Sequence, residues 1–322
     1  MINYYLGSYI DEKTVFFLGV VFAMIVTFLF MLKLKKFLPK DQGRDFAFEG
    51  GKSEGKARGA GIYFIFIYAF SVLMFANVEP EMCIYVILVV FAMLTGYFDD
   101  ASRNPWGEYK KGFFDLVIAV LVAVTFVMYN DTKVTLEIID FTFKIHPVVM
   151  GILIVILVWA SINVTNCTDG VDGLLGTLSV ITLSGIYIMN NVLKTEENFT
   201  YTILIMIAVI LAYLWFNATP STILMGDAGS RAIGLFIAIA MLKTGAPFMY
   251  LLVAIVMIVD GGLGLIKVSI IRFLKVQVLS NIRTPIHDHV RKNKDWSNTH
   301  TVFRFALIQI LACAVAIYFC MI

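Results

Sequence analysis

Residues 147–173 read PVVMGILIVILVWASINVTNCTDGVDG. The run 147–163 is apolar almost throughout, and a helix needs roughly 20 such residues to cross a hydrocarbon core of about 30 Å. The stretch then turns polar, with Asn163, Asn166, Asp169 and Asp172 set among small residues and glycines. Outward from it, further apolar runs lie near 15–32, 61–78, 82–98, 113–129, 173–190, 201–217, 232–246, 247–271 and 302–321. A chain that is 60% hydrophobic and 15% charged, with mean hydropathy +0.85, lies far outside the composition of a soluble domain. The expected fold class is all-α: a polytopic integral membrane protein with about ten transmembrane helices, forming a single domain over 1–322. Asp260-Gly261-Gly262 interrupts the ninth run, which predicts a broken or bent helix lining a cavity. Asp11 and Glu12 precede the first run with no basic leader or cleavage site, so that span is expected to stay in the protein. Cys83, Cys167, Cys313 and Cys320 show no CxxC spacing and are expected to serve packing.

If ten spans alternate, the loops 33–60, 99–112, 164–172, 218–231 and 272–301 share one side. That side carries 18 Lys and Arg against 5 on the other, so it is expected to be cytoplasmic, with both termini outside. Asp99/Asp100, Asp169/Asp172, Asp227/Ser230 and His287-Asp288-His289 all fall on it, although none of them set the topology. Their convergence favours one shared site on the cytoplasmic face.

The residue types in these patches suit a metal ion and phosphates. Asp99-Asp100 has a bland reading as a solvated helix end, but adjacent carboxylates repel, and a cation such as Mg²⁺ removes that cost. Lys110 and Lys111 close the same loop and can hold phosphate oxygens. In the 163–173 stretch, Gly170 and Gly173 allow close backbone approach, Asp172-Gly173 opens the next span, and Asn163, Asn166 and Thr168 suit a ribose or base; a polar turn is the alternative. Gly226-Asp227-Ala228-Gly229-Ser230 offers Asp227 as a metal ligand and Ser230 as a helix cap, and Asn217 could complete a nucleotide pocket. His287-x-His289 lacks the partners of a zinc site and is expected to meet phosphate or carboxylate on a large soluble substrate. Lys33, Lys35, Lys36 and Lys40 read as a topology anchor, whereas Lys52, Lys56 and Arg58 lie in a glycine-rich stretch able to bind anions.

In order and spacing, these motifs resemble the polyprenyl-phosphate N-acetylhexosamine-1-phosphate transferases. Asn163 through Leu174 is similar to that family's NxxNxTDGxDGL pattern, and Met225 through Ser230 to its MGDxGS. Thr284-Pro285-Ile286-His287-x-His289, with Trp296-Ser297 and Val302-Phe303-Arg304-Phe305, looks like its muramoyl-pentapeptide branch. The resemblance runs from about residue 52 to residue 305. It implies a multi-pass protein of the bacterial inner membrane in which undecaprenyl phosphate attacks the β-phosphorus of UDP-N-acetylmuramoyl-pentapeptide, UMP leaves, and Mg²⁺ is the cofactor. Carried over by position, Asp99, Asp100 and Asp227 become the catalytic carboxylates and Asp227 the metal ligand. Asn166, Asp172 and Asn217 hold the nucleotide side, Asn163 and Asp169 join them in binding substrate, and Lys52 and Lys111 contact phosphates. His287 and His289 match the outer members of a three-histidine motif and also bind substrate. A homodimer is implied only as a possibility, membrane lipid is a partner, and no nucleic acid is expected.

Four places depart from the family pattern. Asp288 replaces the middle histidine, Arg103 stands where a Lys is usual, Lys56-Ala57-Arg58-Gly59 replaces Thr-Pro-Thr-Met, and Leu224 occupies a common aromatic position. Two other readings remain: a relative that takes UDP-N-acetylglucosamine, and a secondary transporter, whose cue of inverted repeats is not seen.

Overall fold

A computed structural model describes residues 10–43, 50–102 and 104–322; Arg103 and the 44–49 part of the first loop lie outside the described residues. The chain forms helices α1 (Glu12–Leu34), α2 (Gly61–Phe75), α3 (Pro80–Asp100), α4 (Glu108–Tyr129), α5 (Pro147–Thr168), α6 (Leu174–Val192), α7 (Glu197–Asn217) and α8 (Gly226–Leu242), then α9 (Pro247–Val253), α10 (Ile255–Leu274), α11 (Ile286–Lys294) and α12 (Asn298–Met321). Asp11 caps α1 by accepting the Thr14 N–H at 3.1 Å, and Ser297 caps α12 by accepting that of His300 at 3.1 Å. Pro80 and Pro147 open α3 and α5, where a missing N–H costs nothing.

Each of the ten apolar runs lies largely on helix. Seven helices are long and apolar enough to cross a membrane, and the bent pair α9–α10 makes an eighth if counted as one span. Helices α2 and α8, at 15 and 17 residues, are shorter. Helix α8 is the axis of the bundle: it is buried along its whole length and packs on α3, α5, α2 and α6. At Gly96 an added Cβ would lie 2.3 Å from the Asp227 carbonyl oxygen, so α3 and α8 touch backbone to backbone, with Asp99 and Asp227 close by. Outer helices α1, α4 and α12 turn large apolar side chains such as Phe17, Phe113 and Leu311 outward, as lipid contact requires.

Three features differ from the expectation. The ninth run does break, by 69°, but at Ala254, whereas Asp260-Gly261-Gly262 forms a π-helical turn over Ile258–Gly262 packed on α5. An antiparallel hairpin of β1 (Lys133–Leu136) and β2 (Phe141–Lys144) joins α4 to α5, built from Val, Thr and Phe that suit a pleated surface. Helix also continues into the expected 164–172 loop. Thr165 and Asn166 stay helical because their polar ends bond Ser230 of α8 rather than face lipid.

Candidate active site

The polar ends of α3, α4 and α8 meet at one end of the bundle around two cations. Asp99 and Asp100 close α3, Asp227 lies in the first turn of α8, and Lys111 rides the first turn of α4. Lys111 Nζ lies 2.5 Å from Asp99 Oδ2 and 3.0 Å from Asp227 Oδ2. Arg58 spreads its guanidinium over three carboxylates: Nη1 to Asp41 Oδ1 at 2.7 Å, Nε to Asp100 Oδ1 at 2.7 Å, and Nη2 to Asp227 Oδ1 at 3.2 Å. Asp100 also accepts the Ala228 N–H at 3.1 Å, at the positive end of α8, and Asp99 accepts that of Trp106 at 2.6 Å. Burial works against the charge on Arg58, but Asp100 and Asp227 outweigh it and raise its pKa above the ordinary arginine value.

Main-chain pairing fixes where Arg58 starts. Its N–H donates to the Pro39 carbonyl at 2.9 Å, Leu224 N–H donates to Ala57 at 2.7 Å, and Ala57 bridges both Lys40 and Ile223. Gly226 has φ +69°, and a Cβ there would lie 2.2 Å from Asp100 Oδ2, so only glycine lets the α8 start close on Asp100.

Beside this cluster opens a cavity of about 750 Å³, lined among others by Lys52, Lys56, Arg58, Asp169, Asp172 and Asn217. Lys56 Nζ reaches Asp172 Oδ2 at 3.4 Å and Ser221 Oγ at 2.9 Å, while Ser221 N–H donates to the same Asp172 oxygen at 3.0 Å. Asn217 accepts the Gly173 N–H at 2.8 Å and donates to the Ile223 carbonyl at 2.9 Å, so it braces the cavity wall with both ends of its amide. Ser230 is not a cap: it lies inside α8, where its hydroxyl accepts from Asn166 at 3.0 Å and donates to Gly226 O at 3.1 Å.

Behind the Gly170 part of the wall, Asp260 accepts the His287 N–H at 2.7 Å and sits 2.8 Å from its Nδ1; both residues are buried. The His287 Nε2 edge lies against Gly170, where an added Cβ would be only 2.2 Å away. A carboxylate on Nδ1–H fixes the tautomer that leaves Nε2 as an acceptor. Asp288 is buried between Arg291 at 3.4 Å and Arg283 at 3.7 Å, which gives the residue at the middle position of the motif a charge-pairing role in holding α11.

Residues 82–245 of 322 match the family model described as glycosyl transferase family 4. The chain belongs to glycosyl transferase family 4. It is 37% identical over 294 residues to the phospho-N-acetylmuramoyl-pentapeptide-transferase of Treponema pallidum strain Nichols, covering 85% of this chain and 80% of that one. It is 26% identical over 326 residues to the protein of that name from Wolbachia pipientis wMel, covering 95% and 98%. A further protein of that name, from Corynebacterium jeikeium strain K411, is 27% identical over 351 residues, covering 92% and 94%.

In this family 4 member the residues singled out from sequence are distributed as follows. Asp99, Asp100, Asp227 and Lys111 come together, and Lys52, Asp169, Asp172 and Asn217 line the adjoining cavity. His287 reaches the Gly170 end of the same wall. Asn166 ties α5 to α8 through Ser230, whereas Asn163 bonds Asp115 at 3.4 Å and His289 accepts the Arg283 N–H at 3.2 Å, and neither these three nor His287 line the cavity itself. Asp41, Asp260 and Ser221 were not marked as site residues. An acid inside an apolar span was the available signal for Asp260. A deeper buried pair, Asp115 with Arg231, continues the charge ladder one turn below Lys111 and Asp227.

Among the described residues, no three His, Cys, Asp or Glu side chains group as a metal cage. A hard cation that completes its shell with phosphate oxygens and water needs only one or two carboxylates. Asp100 and Asp227 already share one cationic group, Arg58, so their oxygens fit such an ion.

Proposed function

We propose that the chain is a phospho-N-acetylmuramoyl-pentapeptide transferase: it moves phospho-N-acetylmuramoyl-pentapeptide from its UDP donor onto undecaprenyl phosphate, giving UMP and a lipid-linked diphosphosugar. The observation that carries this reading is Asp99, Asp100 and Asp227 gathered with Lys111 and with Arg58, which itself lines an adjoining cavity of about 750 Å³ carrying Lys52 and Lys56, in a chain of this family. We further propose ten spans, both termini outside, the site facing the cytoplasm where nucleotide-activated sugars are made, and pairing of two copies through outer helices. The basic bias of 18 to 5 supports that orientation.

The chemistry follows from charge. A phosphate monoester has a second pKa of about 6, so the lipid nucleophile is mostly a dianion near neutral pH and a general base adds little. The harder task is bringing that dianion to a diphosphate past Asp99, Asp100 and Asp227. Lys111, between Asp99 and Asp227, faces the incoming phosphates, and Arg58 neutralises the carboxylates at the cavity edge. Mg²⁺, held by Asp227 with Asp100, would supply the remaining neutralisation of charge on the diphosphate oxygens. Lys56 and Asp172 shape the nucleotide side of the cavity, and His287, held by Asp260, presents one polar edge beside Gly170. UMP release by the detergent-purified chain with Mg²⁺ and undecaprenyl phosphate, offered UDP-N-acetylmuramoyl-pentapeptide or UDP-N-acetylglucosamine, tests the reading. Release with the first donor alone is expected; release only with the second would overturn the donor assignment.

A further inference from the structure

The two carboxylates best suited to a divalent cation already share a cation of the protein's own. Arg58 bonds Asp100 and Asp227 at once, at 2.7 and 3.2 Å, and its side chain is 17% exposed at the cavity edge. Its own N–H is tied to the Pro39 carbonyl and its neighbour Ala57 is paired with Ile223 and Leu224, so the backbone is held and the side chain is the part able to swing. Its third contact, Asp41 at 2.7 Å, also lines the cavity and belongs to neither α3 nor α8. A guanidinium leaving Asp100 and Asp227 therefore keeps one anchor and stays inside the cavity.

We propose that Arg58 is a tethered counter-ion: it holds the oxygens of Asp100 and Asp227 that a divalent cation takes up, so that metal loading in this chain is the exchange of one cation for another. The inference rests on reading the site as that of a metal-assisted phosphosugar transferase. The exchange has two consequences. With no metal, the carboxylates are kept together without mutual repulsion. On loading, the guanidinium fork, still held by Asp41, turns to the cavity, where its geometry matches diphosphate oxygens better than a lysine would. Nothing need unfold, because the tether is a side chain.

Removing the guanidinium should make the site more attractive to a metal, since a unit charge a few ångströms away interacts strongly at a part-buried site. The test is titration of Mn²⁺, followed by the electron paramagnetic resonance signal of free ion, on the full-length protein in detergent without substrates. Arg58→Gln is expected to bind Mn²⁺ about tenfold or more tightly than the wild type. Arg58→Lys, whose ammonium is a point charge rather than a fork, should fall between them. If Arg58 only holds the carboxylates in shape, both variants would bind Mn²⁺ equally or more weakly, which overturns the proposal. Should Arg58→Gln fail to fold, Arg58→Lys decides alone: tighter binding supports the exchange, equal or weaker binding refutes it. UMP release is measured on the wild type in parallel. A wild type that releases UMP while the Mn²⁺ order fails loses only the counter-ion proposal; one that releases none loses the functional reading, and the Mn²⁺ order still decides the exchange.

Discussion

Asp260→Asn is the most informative single change. In the native structure one carboxylate oxygen accepts the His287 backbone N–H at 2.7 Å and the other faces Nδ1 at 2.8 Å. Asparagine keeps the volume and one accepting oxygen, so the backbone bond survives. Its NH₂ then meets Nδ1, which must give up its proton, and the imidazole carries N–H on Nε2 instead. The edge beside Gly170 changes from acceptor to donor. The bond between Nδ1–H and the charged Asp260 is itself lost, an interaction that contributes about 1.5–3 kcal/mol; at about 1.4 kcal/mol per decade, a loosened and reversed imidazole is expected to lower kcat/KM for the donor roughly ten- to a hundredfold. The assay is UMP release across a donor titration, with thermal unfolding in detergent as the folding control. Because both residues act through one imidazole, Asp260→Asn combined with His287→Gln should lose little more than His287→Gln alone. A variant that folds normally with kcat/KM within about twofold of wild type, or losses that simply add in the double variant, would refute this reasoning.

Other outcomes follow from the same geometry. Asp227→Asn should lower activity and flatten its dependence on Mg²⁺ together, whereas Asp99→Asn should lower turnover more modestly; equal, small effects in Mg²⁺ titrations would reverse the assignment. Gly226→Ala adds the left-handed backbone strain of about 1–2 kcal/mol to a clash with Asp100 Oδ2 at 2.2 Å, so activity should collapse while the protein still reaches the membrane. At the opposite end of the bundle, Lys243 pairs with Glu81 and Glu196 at 2.9 Å each. Lys243→Met leaves the buried Glu81 uncompensated, and breaking such a pair costs about 3–5 kcal/mol when fully buried. The melting temperature should drop with KM unchanged, and a shifted KM would show that this end communicates with the site.

The apolar runs were legible because a bilayer imposes one simple condition, enough consecutive apolar residues, and all ten runs proved largely helical. Asp99, Asp100 and Asp227 were legible for the converse reason: a carboxylate at the mouth of such a run is costly without compensation. Pairing across long separations left no periodic trace. Asp260 and His287 lie 27 residues apart, and Arg58 reaches Asp227 across 169 positions. Arg58 was visible only as one basic residue in a glycine-rich stretch, and its central place depends on a loop pairing with Lys40 and Ile223 that no local pattern announces. Asn217 suited a nucleotide by residue type, yet the chain turns its amide inward to hold Gly173 and Ile223. The β1–β2 hairpin escaped notice because four-residue strands between long apolar helices carry too little alternation to stand out.

The central claim is that this site breaks a diphosphate bond and transfers the sugar with its phosphate. Identification of both products by mass spectrometry, after the purified chain has acted on UDP-N-acetylmuramoyl-pentapeptide and undecaprenyl phosphate, tests it most directly. The account predicts UMP and, in equal amount, an undecaprenyl diphosphate carrying the N-acetylmuramoyl-pentapeptide. UDP as the released nucleotide, or a lipid product carrying a single phosphate, would mean that the sugar–oxygen bond is cleaved instead and would contradict it.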